Sequence, residues 1–294
     1  RRKNRKTMSY KGIILAGGNG TRLSPVTKIV NKHLLPIHDK PLIYYSLSIL
    51  LLCKIREILI ICKKDDLDSF KNLLGDGKRF GVNLSYEIQK KPSGIPEAFI
   101  IGKDFIKKSK VALILGDNFF YGHRITEKLL NAKSLNKNCT IFVYPVKNPS
   151  SFGVVEFEKN NKIKSIKEKP KKSISNFAIT GFYLFDNNVI DFAKTLKPST
   201  RNETEIISIL KKYKNKKRLS VQHLGRGSAW LDTGTFENMN DASMFVKNIE
   251  QRQGFKIACL EEIALFNKWI TKKNLMESIN FYGNCEYSKY LKSL

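Results

Sequence analysis

The stretch GIILAGGNGTRLSP (Gly12–Pro25) joins an apolar run to three glycines, a threonine and an arginine. In a turn, the backbone N–H groups of Gly17, Gly18, Asn19, Gly20 and Thr21 form a nest for an anion. Arg22 adds a planar donor fork suited to phosphate, and KHLLPI, ten residues on, supplies Lys32 as a second cation. The loop lacks the G-x-x-x-x-G-K-[ST] of a P-loop and the G-x-G-x-x-G of a dinucleotide fold. It reads either as a phosphate cradle of another kind or as a tight turn with a surface arginine.

Two aspartates follow. Asp117 in LGDN ends a strongly apolar run, and Asp232 in WLDTGT precedes a Thr-Gly turn. A carboxylate there is costly to bury unless it meets a cation. Each alone could equally be a helix cap or a structural acceptor. Together, beside a phosphate loop, they suit Mg²⁺, which takes a few carboxylates plus phosphate oxygens.

The elements that must position these groups alternate. KGIILAGG, REILIIC, NLSYEIQ and VALILGDN read as strands. PLIYYSLSILLLCKI, DDLDSFKNLLGDG and IPEAFIIGKDF read as helices. This β-α-β-α order predicts an α/β fold with a doubly wound, mostly parallel sheet. Ligands bind such sheets beyond the carboxyl ends of the strands, where GGNGTR, Gln89 and GDN all fall. From about Cys139 short strands predominate (CTIFVYPV, FGVVEFE, KIKSIKEKP, NFAITGFYLFD), predicting an antiparallel or mixed extension. ETEIISILKKY, TFENMNDASMFVKNIEQRQG and most of the tail read as helices.

Composition bounds the function. The net charge is +27, from 42 Lys and 11 Arg against 26 acidic residues. The lysines are scattered through segments such as KKYKNKKRLS, without aromatic interleaving, so a solvated basic surface is expected and no specific nucleic-acid partner. LIYYSLSILLLC is too short to span a bilayer, and no membrane association is expected. The five cysteines and four histidines show no metal-ligand spacing. Buried free thiols in a reducing, cytoplasmic setting are expected.

The glycine-loop segment through GGNGTRLSPVTKIVNKHLLPIHDKPLIYY resembles the signature of the sugar-nucleotide pyrophosphorylases, nucleotidyltransferases that make NDP-sugars. The resemblance continues through LLGDGKRFGVNLSYEIQKKPSGIPEAFIIG, LGDNFFYGH, FGVVEF, KEKP, TGFYLFD, WLDTGT and IEQRQGFKIACLEEIA, nearly the whole chain. LLGDG, GDNFFYGH and QRQG point to the short bacterial thymidylyltransferase branch. The resemblance implies a Rossmann-like mixed sheet flanked by helices, with a sugar-binding insertion and a helical C-terminal region. The basic run RRKNRKT predicts a disordered extension over residues 1–9, and the resemblance implies a nucleotidyltransferase domain over 10–254. That domain has a nucleotide half (10–138) and a sugar half (139–254), with the region 255–294 packed on it. It also implies Mg²⁺, a homotetramer, and the reaction of dTTP with α-D-glucose 1-phosphate that opens the route to dTDP-L-rhamnose.

By the same resemblance Leu15, Ala16, Gly17, Gly18, Gly20, Thr21 and Arg22 hold the triphosphate. Gln89 meets the base edge, with Gly94 beneath it. Asp117 and Asp232 ligate Mg²⁺. Asn118, Gly153, Glu168, Lys169, Ile179 and Arg201 line the sugar-phosphate pocket, and Arg22, Lys32, Asp117, Lys169 and Asp232 form the catalytic set. Gln89 serves thymine and uracil alike, so UTP is an expected side substrate. The chain departs from the family's pattern at His33 and Glu97, each in place of glutamine, and at Phe152 and Ser228, each in place of tyrosine. The segment after Arg201 also departs, but no member of the catalytic set is lost, so an active enzyme is expected.

Overall fold

The computed structural model describes residues 9–172, 175–199 and 202–294. The expected basic extension, but for Ser9, and Arg201 lie outside them. The strands are β1 (Tyr10–Leu15), β2 (Pro36–Ile37), β3 (Lys40–Pro41), β4 (Glu57–Cys62), β5 (Asn83–Ile88), β6 (Lys110–Leu115) and β7 (Asn118–Gly122). After them come β8 (Cys139–Pro145), β9 (Gly153–Phe157), β10 (Ile163–Glu168), β11 (Phe177–Phe185), β12 (Leu219–His223) and β13 (Ser228–Asp232).

In the first half, β6, β1, β4 and β5 lie side by side and parallel, in that order. Ile13 and Ile14 on opposite faces of β1 are both fully buried, as a strand covered on both sides requires. The helix Leu42–Leu52 starts after Pro41, and its residues Leu42 through Leu51 are all buried. It is apolar all round because it is enclosed. Its one functional intrusion is Ser46, whose hydroxyl donates to the carbonyls of Leu115 and Asn118 at 3.1 and 3.3 Å, bracing the turn after β6. The predicted helix over IPEAFIIGKDF divides at Gly102 into Glu97–Ile101 and Lys103–Ile106. A side chain at Gly102 would crowd the Ala98 carbonyl and Ile13, both at 3.0 Å.

The second half is mixed. β11 is antiparallel to β6 through Phe182–Phe185 and to β9 through Phe177–Ala178. Along its other edge it pairs with β8, the register shifting between Ile179 and Tyr183. β12 adds parallel to β8, and β10 adds antiparallel to β9. β7 and β13, neither read as a strand from the sequence, form a separate antiparallel ribbon with Asp232 opposite Asn118. The helix Phe236–Gln253 is capped by Thr235, whose hydroxyl accepts the Asn238 N–H. The tail folds into the helices Leu260–Phe266, Lys272–Tyr282 and Glu286–Ser293. Among the described residues, no helix is long and apolar enough to cross a membrane.

Candidate active site

The glycine loop leaves β1 where its pairing ends. Leu15 is the last paired residue, opposite Ile61 and Leu115, and the Ala16 N–H donates to the Ile61 carbonyl at 2.7 Å. From Gly17 to Thr21 the backbone N–H groups donate to no group among the described residues. Such a run of unpaired donors is what an anion nest offers. A Cβ on Gly17 would lie 2.0 Å from the Gln89 side-chain Oε1, so a side chain there would displace the Gln89 amide. Gly20 sits at φ +58°, opening the short turn Thr21–Leu23, while a Cβ on Gly18 would meet nothing within 4 Å. The loop is thus packed on one side and open on the other. Gly18, Thr21, Lys28, Lys32 and Lys63 line a cavity of 540 Å³ there. Arg22 is exposed, and a Cβ on Gly234 would come within 2.6 Å of its guanidinium, so it lies beside the turn that follows Asp232.

Lys32 and Asp117 meet at 2.6 Å, with 7% and 28% of their side chains exposed. Burial alone would raise the Asp117 pKa. Lys32, His33 and the hydrogen bonds from Lys32 and Asn118 outweigh it and hold the pKa down at about 2. Asp232 is pushed the other way, by burial first and then by Asp117, with Arg22, Lys32 and Asn238 opposing. The Asp117 charge therefore adds to the cost of ionising Asp232, and both residues line one cavity. The backbone joins them as well, since the Thr233 hydroxyl donates to the Asp117 carbonyl at 2.9 Å.

A second cavity, of 240 Å³, opens beyond these carboxylates. Asp117, Asn118, Gly153, Glu168, Lys169, Ile179, Asp232 and Gly94 all line it. β9 and β10 place Gly153 opposite Glu168. Lys169 follows at φ +38°, its N–H held by the Phe152 carbonyl at 3.0 Å. A lysine held in the left-handed region is strained, and strain of that kind collects at functional sites. Arg201 falls outside the described residues, but Glu203, Thr204 and Glu205 close to it line the same cavity.

Asn118 has a fuller role than pocket lining. Its Oδ1 accepts the Gly181 N–H at 2.9 Å and the Trp230 indole N–H at 2.6 Å, and its Nδ2 donates to Asp117 at 2.9 Å. It positions Asp117 from within the core. Trp230 and Tyr183, which also line the cavity, were not singled out from the sequence. No local signal marks either residue: Trp230 reaches Asn118 only through the pairing of Ser228–Asp232 with Asn118–Gly122. Phe152 packs against Trp230 at 5.1 Å, and the Ser228 hydroxyl is buried with no partner.

Gln89, just after β5, is 3% exposed. Its Nε2 donates to Glu97 at 2.6 Å. Gly94 sits at φ +110°, and a Cβ there would lie 2.1 Å from the Thr204 carbonyl. Thr204 in turn donates its N–H to Ser93 at 2.8 Å, tying the loop after Gln89 to the far wall of the second cavity. Lys90 and Lys91 are exposed. His33 is buried, and its Nδ1 and backbone N–H both lie within 2.9 Å of the Asn31 side-chain Oδ1. Burial pulls its pKa down to about 4, with Asp117 opposing and Lys32 and Lys63 assisting.

Elsewhere His38, Asp39 and Glu250 cluster, but Lys40 and Lys256 both pair with these two carboxylates. All five cysteines are free, and four are buried.

A mixed sheet with a donor-rich glycine loop, a carboxylate pair and a second polar cavity is the arrangement of an enzyme joining two phosphorylated reactants. The family described as nucleotidyl transferase matches residues 11–249. The glucose-1-phosphate thymidylyltransferase of Neisseria meningitidis serogroup A is 50% identical over 97% of this chain and 99% of its own length. That of Mycolicibacterium smegmatis is 49% identical over 97% and 98%. Among solved structures, a Bacillus anthracis protein assigned as a glucose-1-phosphate thymidylyltransferase, in complex with a sucrose, superposes with a TM-score of 0.75. It is 37% identical, over 81% of this chain and 95% of its own. The chain belongs to the nucleotidyl transferase family and, within it, to the glucose-1-phosphate thymidylyltransferases.

Proposed function

We propose that the chain joins dTTP to α-D-glucose 1-phosphate, giving dTDP-glucose and pyrophosphate, as the first step toward dTDP-L-rhamnose. The observation that carries this reading is the Lys32–Asp117 pair. It stands between two cavities, one edged by the free N–H groups of the glycine loop and the other by Lys169. The triphosphate takes the first and the sugar phosphate the second, which brings the α-phosphorus and the attacking oxygen together at the carboxylates.

Both reactants are anions, so their repulsion must be offset before they meet. Arg22 and Lys32 act on the nucleotide side, and Lys169 and Arg201 on the sugar side. The sugar phosphate is already ionised at neutral pH and needs no general base, in keeping with the withdrawal of His33 into the core. The protein's contribution is positioning and electrostatics. The oxygen attacks phosphorus in line, and pyrophosphate leaves toward the nest and Arg22.

Asp117 and Asp232 fit Mg²⁺. They are hard oxygen donors at paired strand ends, and burial and the Asp117 charge, which together raise the Asp232 pKa, are costs that a divalent cation offsets. When bound, the ion offsets phosphate charge as it shifts to the leaving group. Gln89 meets the base edge, which leaves UTP as a side substrate, since one methyl group is worth only ~1–3 kcal/mol. The unpaired cysteines accord with the cytoplasm, and exposed Phe255 and Phe266 accord with a homotetramer. A panel of dTTP, UTP and dCTP, with and without chelator, tests this reading. Product from dTTP above UTP that chelation abolishes supports it, and equal turnover in chelator refutes the metal assignment.

A further inference from the structure

Glu97 stands where the family's pattern has glutamine, and it holds the amide that faces the glycine loop. Its Oε2 accepts the Gln89 Nε2–H at 2.6 Å and lies 3.3 Å from the Ser93 N–H. Glu97 begins the helix Glu97–Ile101, whose Ala98 and Phe99 are fully buried, so the carboxylate is anchored. The other end of the Gln89 amide is its carbonyl oxygen, which lies against Gly17 and takes no hydrogen bond among the described residues.

An amide can be turned end for end, and its two orientations present opposite patterns to a ligand. A carboxylate only accepts, so it tolerates one of them. A glutamine at the same place offers a donor and an acceptor and supports both. We propose that Glu97 is a positioning residue that fixes which end of the Gln89 amide the nucleobase meets, and so sets base selectivity. The fixed orientation keeps Oε1 toward the loop, with one Nε2 hydrogen still free beside it. That acceptor-plus-donor pair matches the N3–H and O4 of thymine or uracil. Cytosine, with a bare N3 and an N4–H₂ group, needs the amide reversed. The inference rests on the reading above in which Gln89 meets the base edge.

The test is calorimetric binding of dTTP and dCTP, with Mg²⁺, to the wild type, E97Q and Q89A, together with kcat/KM for each nucleotide. E97Q keeps the shape of the side chain, and its thermal midpoint is expected to stay near that of the wild type. The dTTP-over-dCTP preference is expected to fall about tenfold in E97Q, chiefly through improved dCTP use, as expected when a fixed hydrogen-bond pattern is released. KM for glucose 1-phosphate is expected to stay unchanged, which a general loosening of the site would not produce. An unchanged preference in E97Q, with a collapsed one in Q89A, overturns the role of Glu97 and leaves Gln89 as the base reader. An unchanged preference in both overturns the reading of Gln89 itself, and the proposal with it.

Discussion

Lys32 and Asp117 form a 2.6 Å ion pair, yet the two residues line different cavities. The pair is the partition between the glycine-loop cavity and the one lined by Lys169. Lys32 holds the Asp117 pKa down, whereas the Asp232 pKa is raised, by burial first and then by the Asp117 charge. On the proposed metal reading, Asp232 is the carboxylate whose ionisation a divalent cation would favour most, since Asp117 already has Lys32 beside one of its oxygens.

On the proposed Mg²⁺ reading, Asp232→Asn removes one of the two metal ligands without disturbing the Lys32–Asp117 pair. Its kcat is expected to fall roughly 10²–10³-fold, the scale of losing one electrostatic contact to the transition state. Its thermal midpoint should stay close to that of the wild type or rise, because a repulsive pair is relieved. A titration of initial rate against Mg²⁺ checks it, and the variant should need more of the ion for half-maximal rate.

His33 gives a pH signature. Its pKa falls from 6.5 to about 4 in the folded chain, because burial disfavours the charged ring. The folded state binds the proton more weakly than the unfolded one. This contribution is therefore complete above pH 6.5, declines as pH falls from there toward 4, and levels off below. In His33→Gln the urea midpoint should drop less between pH 6.5 and 4 than in the wild type.

The glycines separate folding from binding. Gly94→Ala forces a side chain onto the Thr204 carbonyl at φ +110° and is expected to destabilise the chain by about 1–3 kcal/mol. Gly18→Ala adds a methyl group to open space in the protein and should leave the urea midpoint nearly unchanged. It should nevertheless raise KM for dTTP about tenfold, since the methyl group would stand where the phosphates approach and weaken a charged hydrogen bond worth ~1.5–3 kcal/mol. Paired denaturation and kinetic measurements distinguish the two effects.

Asn118→Ala strands two donors at once, the Gly181 N–H and the Trp230 indole N–H, and takes one donor from Asp117. A loss of about 2–4 kcal/mol is expected from two buried unsatisfied groups. Near-ultraviolet circular dichroism of the Trp230 environment should weaken alongside the urea midpoint.

Much of this arrangement was legible in the residues. The parallel half followed from apolar runs separated by capped helices, and the loop followed from glycines at the end of β1. The ribbon of β7 and β13 was not. Asn118–Gly122 opens with a polar motif, and its partner lies more than a hundred residues away, so neither pattern reveals a strand alone. Asn118 does line the second cavity, as its motif suggests, but its hydrogen bonds with Gly181 and Trp230 depend on tertiary pairing that no local pattern reveals. The need for glycine at position 102 is likewise partly tertiary, since a side chain there would meet Ile13 on β1 as well as the Ala98 carbonyl.

The most direct test of the central claim is pyrophosphate release from dTTP with Mg²⁺, measured with and without glucose 1-phosphate. The two-cavity account predicts release that requires the sugar phosphate and yields dTDP-glucose in equal amount. Folded protein that binds dTTP but releases no pyrophosphate with the sugar phosphate present would contradict it.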